Sequence, residues 1–89
     1  PVLNKLNLTI YPNPLRSIAT IEISLSENMN VELIITNILG EQVHSINSGN
    51  LMHGDHRFQW NSSDFASGIY LLQMVTPYGI QSKKLILEK

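Results

Sequence analysis

The chain has 89 residues, which suits one domain and not two, because domains commonly run about 100–150 residues and many smaller ones fold alone. Hydrophobic residues make up 43% and charged residues 15%, which excludes a charge-rich disordered tail. A net charge of -1 with six basic residues offers no field for nucleic acid, and no apolar run approaches the roughly 20 residues of a membrane helix.

No nucleic-acid partner and no direct membrane insertion are therefore expected. Cysteine is absent, which removes disulfides, thiol catalysis and Cys-ligated zinc together. The first residue is Pro1 rather than Met, and no signal-peptide pattern follows it. The expectation is a single domain, residues 1–89, taken from a longer secreted precursor. Ile, Val and Thr total 19 residues against two alanines, Ala19 and Ala66, and this ratio favours strands over helices.

In chain order, Leu6 to Ile10 alternates and stops at Tyr11-Pro12-Asn13-Pro14, an extended corner that two prolines keep out of any central strand. Ala19 to Leu25 follows, with Ile21, Ile23 and Leu25 on one face. Ser26 to Asn30 turns the chain, and Val31, Leu33 and Ile35 then alternate with Glu32, Ile34 and Thr36. The two runs read as an antiparallel pair buried on one face. Asn37 to Glu41 reads as a tight reversal, with Gly40 where positive φ is needed. Gln42 to Ile46 makes a short strand whose broken alternation signals a bulge or an edge.

Asn47 to Asp55 reads as the longest irregular stretch. His56, Phe58 and Trp60 then share a face. Asn61 to Asp64 and Ser67-Gly68 are bends. Tyr70, Leu72 and Met74 oppose Ile69, Leu71 and Val75, so this strand, apolar on both faces, is expected at the centre of a sheet. Thr76 to Gly79 turns the chain into a last strand, Ile80 to Leu87. The pattern predicts an all-β protein, a seven-stranded immunoglobulin-like antiparallel β-sandwich.

Candidate sites are few. His53-Gly54-Asp55-His56 is the one cluster with metal-ligating residue types, but zinc needs three or four ligands and no second pair exists. His56 lies on the Phe58/Trp60 face, where a packed histidine capping a loop is expected. Asp55 and Asp64 are the only aspartates and neither lies in a calcium loop. No G-x-S-x-G elbow occurs, and the glutamates fall on outward or turn positions. No catalytic residue, metal or cofactor is expected. Trp60, Tyr70, Tyr78, Tyr11, Phe58 and Phe65 could form a sugar-stacking platform. Against this, Trp60 reads as a core indole and Tyr70 as a corner tyrosine, leaving only Tyr78 and Tyr11 exposed. Lys83, Lys84 and Lys89 gather at the end, either as edge protection or as a signal read by another protein.

Taken in order, several motifs resemble one family: the type A C-terminal sorting domain of the type IX secretion system of Bacteroidetes. Tyr11-Pro12-Asn13-Pro14 resembles its opening Y-P-N-P. Val31 to Ile35 leading to Gly40-Glu41-Gln42-Val43 resembles its strand, glycine turn and strand. Gly54 to Trp60, with His56, resembles G-x-H-x-x-x-W, and Ser67-Gly68-Ile69-Tyr70 resembles S-G-x-Y. Lys84-Leu85-Ile86-Leu87-Glu88-Lys89 resembles the terminal K-[apolar]₃-x-K. One departure is Trp60-Asn61-Ser62, where W-D-G is common.

The resemblance implies a non-enzymatic domain that directs its cargo across the outer membrane after export to the periplasm. Its partners would be the secretion machinery and a sortase-like surface peptidase that removes it. Recognition would fall on Lys83, Lys84, Leu85, Ile86, Leu87 and Lys89. Pro12, Asn13, Pro14, Gly40, Gly54, His56, Trp60, Gly68 and Tyr70 would hold the fold. By the same reading, the last strand could be displayed or peeled from the core, and its edge could accept a receptor strand. The alternative is an immunoglobulin-like or carbohydrate-binding accessory module that stays attached to a secreted enzyme.

Overall fold

The computed structural model describes residues 7–89, apart from the side chains of Asn47 and Ser48, so the expectation for Leu6 lies outside the described residues. Seven strands follow one another: β1 Asn7–Tyr11, β2 Ile18–Leu25, β3 Met29–Asn37, β4 Gln42–Leu51, β5 Gly54–Asn61, β6 Gly68–Thr76 and β7 Gly79–Leu87. They form a three-stranded sheet in the order β1-β2-β5 and a four-stranded sheet in the order β4-β3-β6-β7, every pair antiparallel. The protein is an all-β, immunoglobulin-like sandwich.

Alternation places the core. Leu8, Ile10, Ala19, Ile21, Ile23, Leu25 and Trp60 point inward from one sheet; Val31, Leu33, Ile35, Tyr70, Leu72, Met74, Leu85 and Leu87 do so from the other. One neighbour pair shows how size is matched. Ala19 lies directly opposite Trp60 in the β2–β5 register, and both are at most 1% exposed. The smallest apolar side chain leaves room for the largest.

Two expectations are corrected. β2 and β3 do not pair: β2 lies between β1 and β5, and β3 between β4 and β6. The connection through Ser26, Glu27 and Asn28 crosses from one sheet to the other, with Leu25 and Met29 buried at its two ends. Two strands each apolar on one face can bury those faces by lying side by side or by facing across the sandwich. Alternation is the same in both cases, and here the strands lie in opposite sheets.

The second correction concerns Asn47 to Asp55. Most of this stretch is ordered strand, because β4 runs ten residues to Leu51 and β5 resumes at Gly54. β4 is an edge strand, and its ladder with β3 is shifted at Val31/Glu32 and at Ile35/Thr36. Each shift leaves one extra residue on β4, Ser48 and Val43, which resets the alternation that looked broken in the sequence. The expected bulge and the expected edge are both present. β6 lies between β3 and β7, as its two apolar faces foretold.

Candidate functional site

The terminal strand is the element to which the sequence motifs point, and the structure builds it into the core. β7 pairs with β6 along its whole length, from Gly79 opposite Thr76 to Leu87 opposite Gly68. Leu85 is fully buried and Leu87 is 1% exposed, whereas Lys83, Lys84 and Lys89 are exposed and Ile86 is half-buried. Lys84 and Ile86 project from the outer face of the sheet, opposite in direction to the buried leucines. Lys83 alternates with the leucines yet stays exposed, an inward-side charge on an edge strand that discourages further pairing.

β7 is the last strand of its sheet, so its other edge should be open. Its C-terminal half is not. The Asn13 carboxamide donates from Nδ2 to the Lys84 carbonyl (2.9 Å) and accepts at Oδ1 from the Ile86 N–H (3.1 Å). Leu15 continues the seal: its N–H donates to the Ile86 carbonyl and its carbonyl accepts from the Glu88 N–H, both at 2.8 Å. Leu15 itself is fully buried. Pro12 and Pro14 have no N–H to offer a ladder. Asn13, between them, carries one donor and one acceptor group in a planar amide and substitutes for the missing peptide.

Lys89 is tied as well. Its N–H donates to Ser67 Oγ (3.2 Å) and its Nζ to the Ser63 carbonyl (2.7 Å). Beneath this loop, Ser62 is fully buried and its N–H and Oγ both donate to the Ser17 carbonyl, at 2.8 and 2.6 Å. Asn61 Oδ1 accepts from the Ser63 N–H at 3.0 Å, which shapes the turn where glycine is more usual. Over residues 84–88 the edge is therefore occupied and not free for strand addition, and peeling the strand would expose Leu85 and Leu87 and break these bonds, contrary to the expectation that the core stays intact. Replacing Asn13 by Ala should cost about 1–3 kcal/mol, the range for two hydrogen bonds at a partly solvated edge. Urea unfolding checks it. A loss under about 0.3 kcal/mol would mean that the clamp does not hold β7.

Gly40, Gly54, His56, Trp60 and Tyr70 sit at turns, a cap and the core. Gly40 has φ 85° in the β3–β4 turn, and its N–H donates to the Asn37 carbonyl at 3.0 Å. The Asn37 side chain fixes the rest of that turn, accepting at Oδ1 from the N–H groups of Leu39 (2.9 Å) and Glu41 (3.0 Å) and donating to Glu41 Oε1 (2.9 Å). Gly54 also has positive φ, 115°, where β5 begins. His56 Nε2 lies 2.7 Å from the Met52 carbonyl and so caps the β4–β5 turn. Tyr70 donates its hydroxyl to the Ala66 carbonyl at 2.6 Å, the tie expected of a corner tyrosine just after Gly68. Trp60 lies among Phe65, Tyr70 and His44, with ring centroids 5.2, 5.9 and 6.2 Å away.

The rival sites are not assembled. Asp55 faces outward and accepts from Ser24 Oγ at 2.7 Å, whereas His56 turns inward, so the His-Asp-His cluster does not converge. No group of three ligating side chains suited to a metal occurs among the described residues. A shallow depression lined by Glu22, Asp55, His56 and Arg57 is spanned by the Arg57–Glu22 ion pair (2.8 Å). Tyr11 and Tyr78 are exposed but lie at opposite ends of the strands: Tyr11 stands opposite Thr20 near the start of β2, and Tyr78 bonds to Glu27 beyond its end. They make no common stacking platform.

Both tyrosines hold their protons more tightly than usual. The Tyr11 hydroxyl donates to Glu22 Oε2 (2.9 Å) and Tyr78 to Glu27, and these bonds to carboxylates, before any other cause, raise both above the ordinary value of 10.0. A group raised in the folded state contributes stability below its unfolded value, and that contribution is lost as pH rises through the folded one. Ultraviolet titration should show both ionising above pH 10.0, with Glu22→Gln returning Tyr11 and Glu27→Gln returning Tyr78 toward it. No change in either variant would remove the carboxylates as the cause.

Residues 9–88 match the family described as the secretion system C-terminal sorting domain. The chain belongs to that family. It is a sorting domain of type IX secretion, the class of signal that sends cargo to the cell surface or beyond through the secretion machinery. Sorting-tail domains are typically non-catalytic. Solved structures agree on the fold. The sorting domain superposes on a crystal structure of dimeric latent PorU from Porphyromonas gingivalis with a TM-score of 0.73 and 22% identity, over 98% of this chain and 10% of that one. PorZ, described as an essential surface component of the type-IX secretion system of the same bacterium, superposes with a TM-score of 0.64 and 21% identity, over 92% and 11%. The chain thus spans about a tenth of those proteins, and at such identity the likeness shows the fold alone. No curated protein sequence matches it.

Sequence reasoning found the terminal segment and the Y-P-N-P corner separately and missed that one clamps the other. A signal was present: an Asn flanked by two prolines is the one residue of that corner able to replace a backbone donor and acceptor together.

Proposed function

We propose that the sorting domain is the non-catalytic C-terminal part of a longer precursor. In this reading the precursor reaches the periplasm, crosses the outer membrane by type IX secretion, and loses the domain to a sortase-like surface peptidase. The machinery reads the domain folded, through the exposed residues Lys83, Lys84 and Lys89 and the half-buried Ile86. Leu85 and Leu87 contribute by holding the strand in place. The observation that carries this reading is the fixing of the terminal segment: β7 pairs with β6 as far as Leu87, its other edge is bonded from Lys84 to Glu88, and its two leucines are in the core. A signal held so firmly presents one set of side chains.

The removal step is tested by mass spectrometry. A reporter with a secretory signal peptide, fused ahead of Pro1, is recovered from the surface or medium of a Bacteroidetes host with a working type IX system. The expected mature reporter ends upstream of Pro1. A mature reporter that retains residues 1–89 would overturn the removal step and favour an accessory module.

A further inference from the structure

The outer face of the four-stranded sheet carries an unpartnered apolar patch at the end where the terminal strand finishes. Asn37 stands opposite Tyr70 in the β3–β6 register, so Ile38, the next residue, follows at the level of Ile69. Ile69 in turn stands opposite Ile86 on β7. One step inward, Leu71 stands opposite Lys84. Ile69 is 46% exposed, and Ile38 and Leu39 are 73% and 79% exposed. Such exposure at a hairpin tip is ordinary when the tip is loose, but this one is fixed by the three side-chain bonds of Asn37 and the Gly40 turn bond. A fixed tip loses little freedom when it is covered.

Charge says what covers it. Lys84 borders the patch and is in no ion pair: the one ion pair among the described residues is Arg57–Glu22, on the other sheet. Glu88 lies four residues beyond Lys84, about 13 Å along a strand, too far to neutralise it. An apolar surface with an unpaired lysine on one side fits a partner that is apolar at its centre and acidic at that side.

We propose that the sorting domain docks on the secretion machinery through this patch, Ile38, Leu39, Ile69 and Ile86 bordered by Lys84, onto an apolar protein surface with acidic groups beside it. The proposal rests on the sorting role and adds the surface and its chemistry. The backbone edge of residues 84–88 is closed, so side chains on this face, not strand addition, supply the contact.

The test is export of a fused reporter in a type IX host, with each 89-residue variant also checked by thermal melting. Ile38→Ser with Leu39→Ser alters only exposed turn side chains, and Ile69→Thr keeps a β-branched residue in its strand. Combined, they should lower export by about tenfold or more, the effect of losing an interface hot spot. Lys84→Glu should lower it several-fold, and Ile18→Thr with Met52→Ser, exposed apolar positions outside the patch, should leave it unchanged. Should Ile69→Thr lower the melting temperature, the Ile38→Ser/Leu39→Ser pair alone decides. Full export from the patch variants, with the domain folded and the unmodified domain required, would overturn the docking surface and leave the sorting role standing. No export even with the unmodified domain would overturn the sorting role itself and the surface with it. Self-association of the chain that the patch variants abolish, with export unaffected, would make the patch a contact between copies and overturn the proposal.

Discussion

Truncation after Lys83 should unfold the domain at 25 °C. The six residues removed include Leu85 and Leu87, fully buried and 1% exposed, and each buried leucine reduced to Ala typically costs about 2–5 kcal/mol. The same cut removes the β7 ladder from Lys84 onward and the groups to which Asn13, Leu15, Ser63 and Ser67 bond. Against a total stability of about 5–15 kcal/mol for a domain, those losses leave no folded majority. Circular dichroism and urea titration of residues 1–83 should show no cooperative transition. A transition near that of the full chain would mean that the last strand adds little to the fold. The consequence for function is direct. Loss of export on deleting residues 84–89 cannot separate a lost recognition surface from a lost domain, and substitutions at exposed positions are needed instead.

Trp60→Ala should be the most damaging single substitution. The indole is 1% exposed, opposite Ala19 across the β2–β5 register, and packed against Phe65, Tyr70 and His44. Removing a buried aromatic side chain costs about 3–5 kcal/mol, because the surrounding strands cannot close the cavity. At about 4–8 °C per kcal/mol for a domain of this size, the melting temperature should fall by more than about 10 °C. Trp60→Phe should cost less: a ring remains, and Nε1, which has no acceptor among the described residues, is removed with the indole. A loss under about 1 kcal/mol in Trp60→Ala would show that the aromatic cluster does not hold this end of the sandwich.

Much of the fold was legible because sandwich strands alternate. The inward positions of β2, β3, β5 and β6 follow from Ile21/Ile23, Val31/Leu33/Ile35, Phe58/Trp60 and Tyr70/Leu72/Met74, and each set lies on its core-facing side. Partner choice was not legible. A two-residue period says which side of a strand is buried but not which strand lies beside it, so β2 and β3 read as a pair although they lie in opposite sheets. β4 was shortened in the reading because its two bulges reset the period, and a period that shifts within one strand looks like a loop.

The candidate site divides the same way. The exposure of Lys84 against the burial of Leu85 and Leu87 follows from alternation, as do the packed Trp60 and the capping His56. The seal on β7 does not, because it joins Asn13 to Lys84 and Ile86 across more than seventy residues through a side chain. No local pattern encodes a contact of that range. Once placed, it shows Lys84 to Leu87 bonded along both edges of the strand, a fixed surface and not a loose tail.

The measurement that bears most directly on the sorting role is fractionation of a reporter with a secretory signal peptide, carried with and without the 89-residue domain, in a host with an intact type IX system and in one lacking it. The role requires reporter outside the cell only when both domain and system are present, with the domain-free reporter held in the periplasm. Equal export without the domain, or retention of the folded fusion in the periplasm of the intact host, would contradict it.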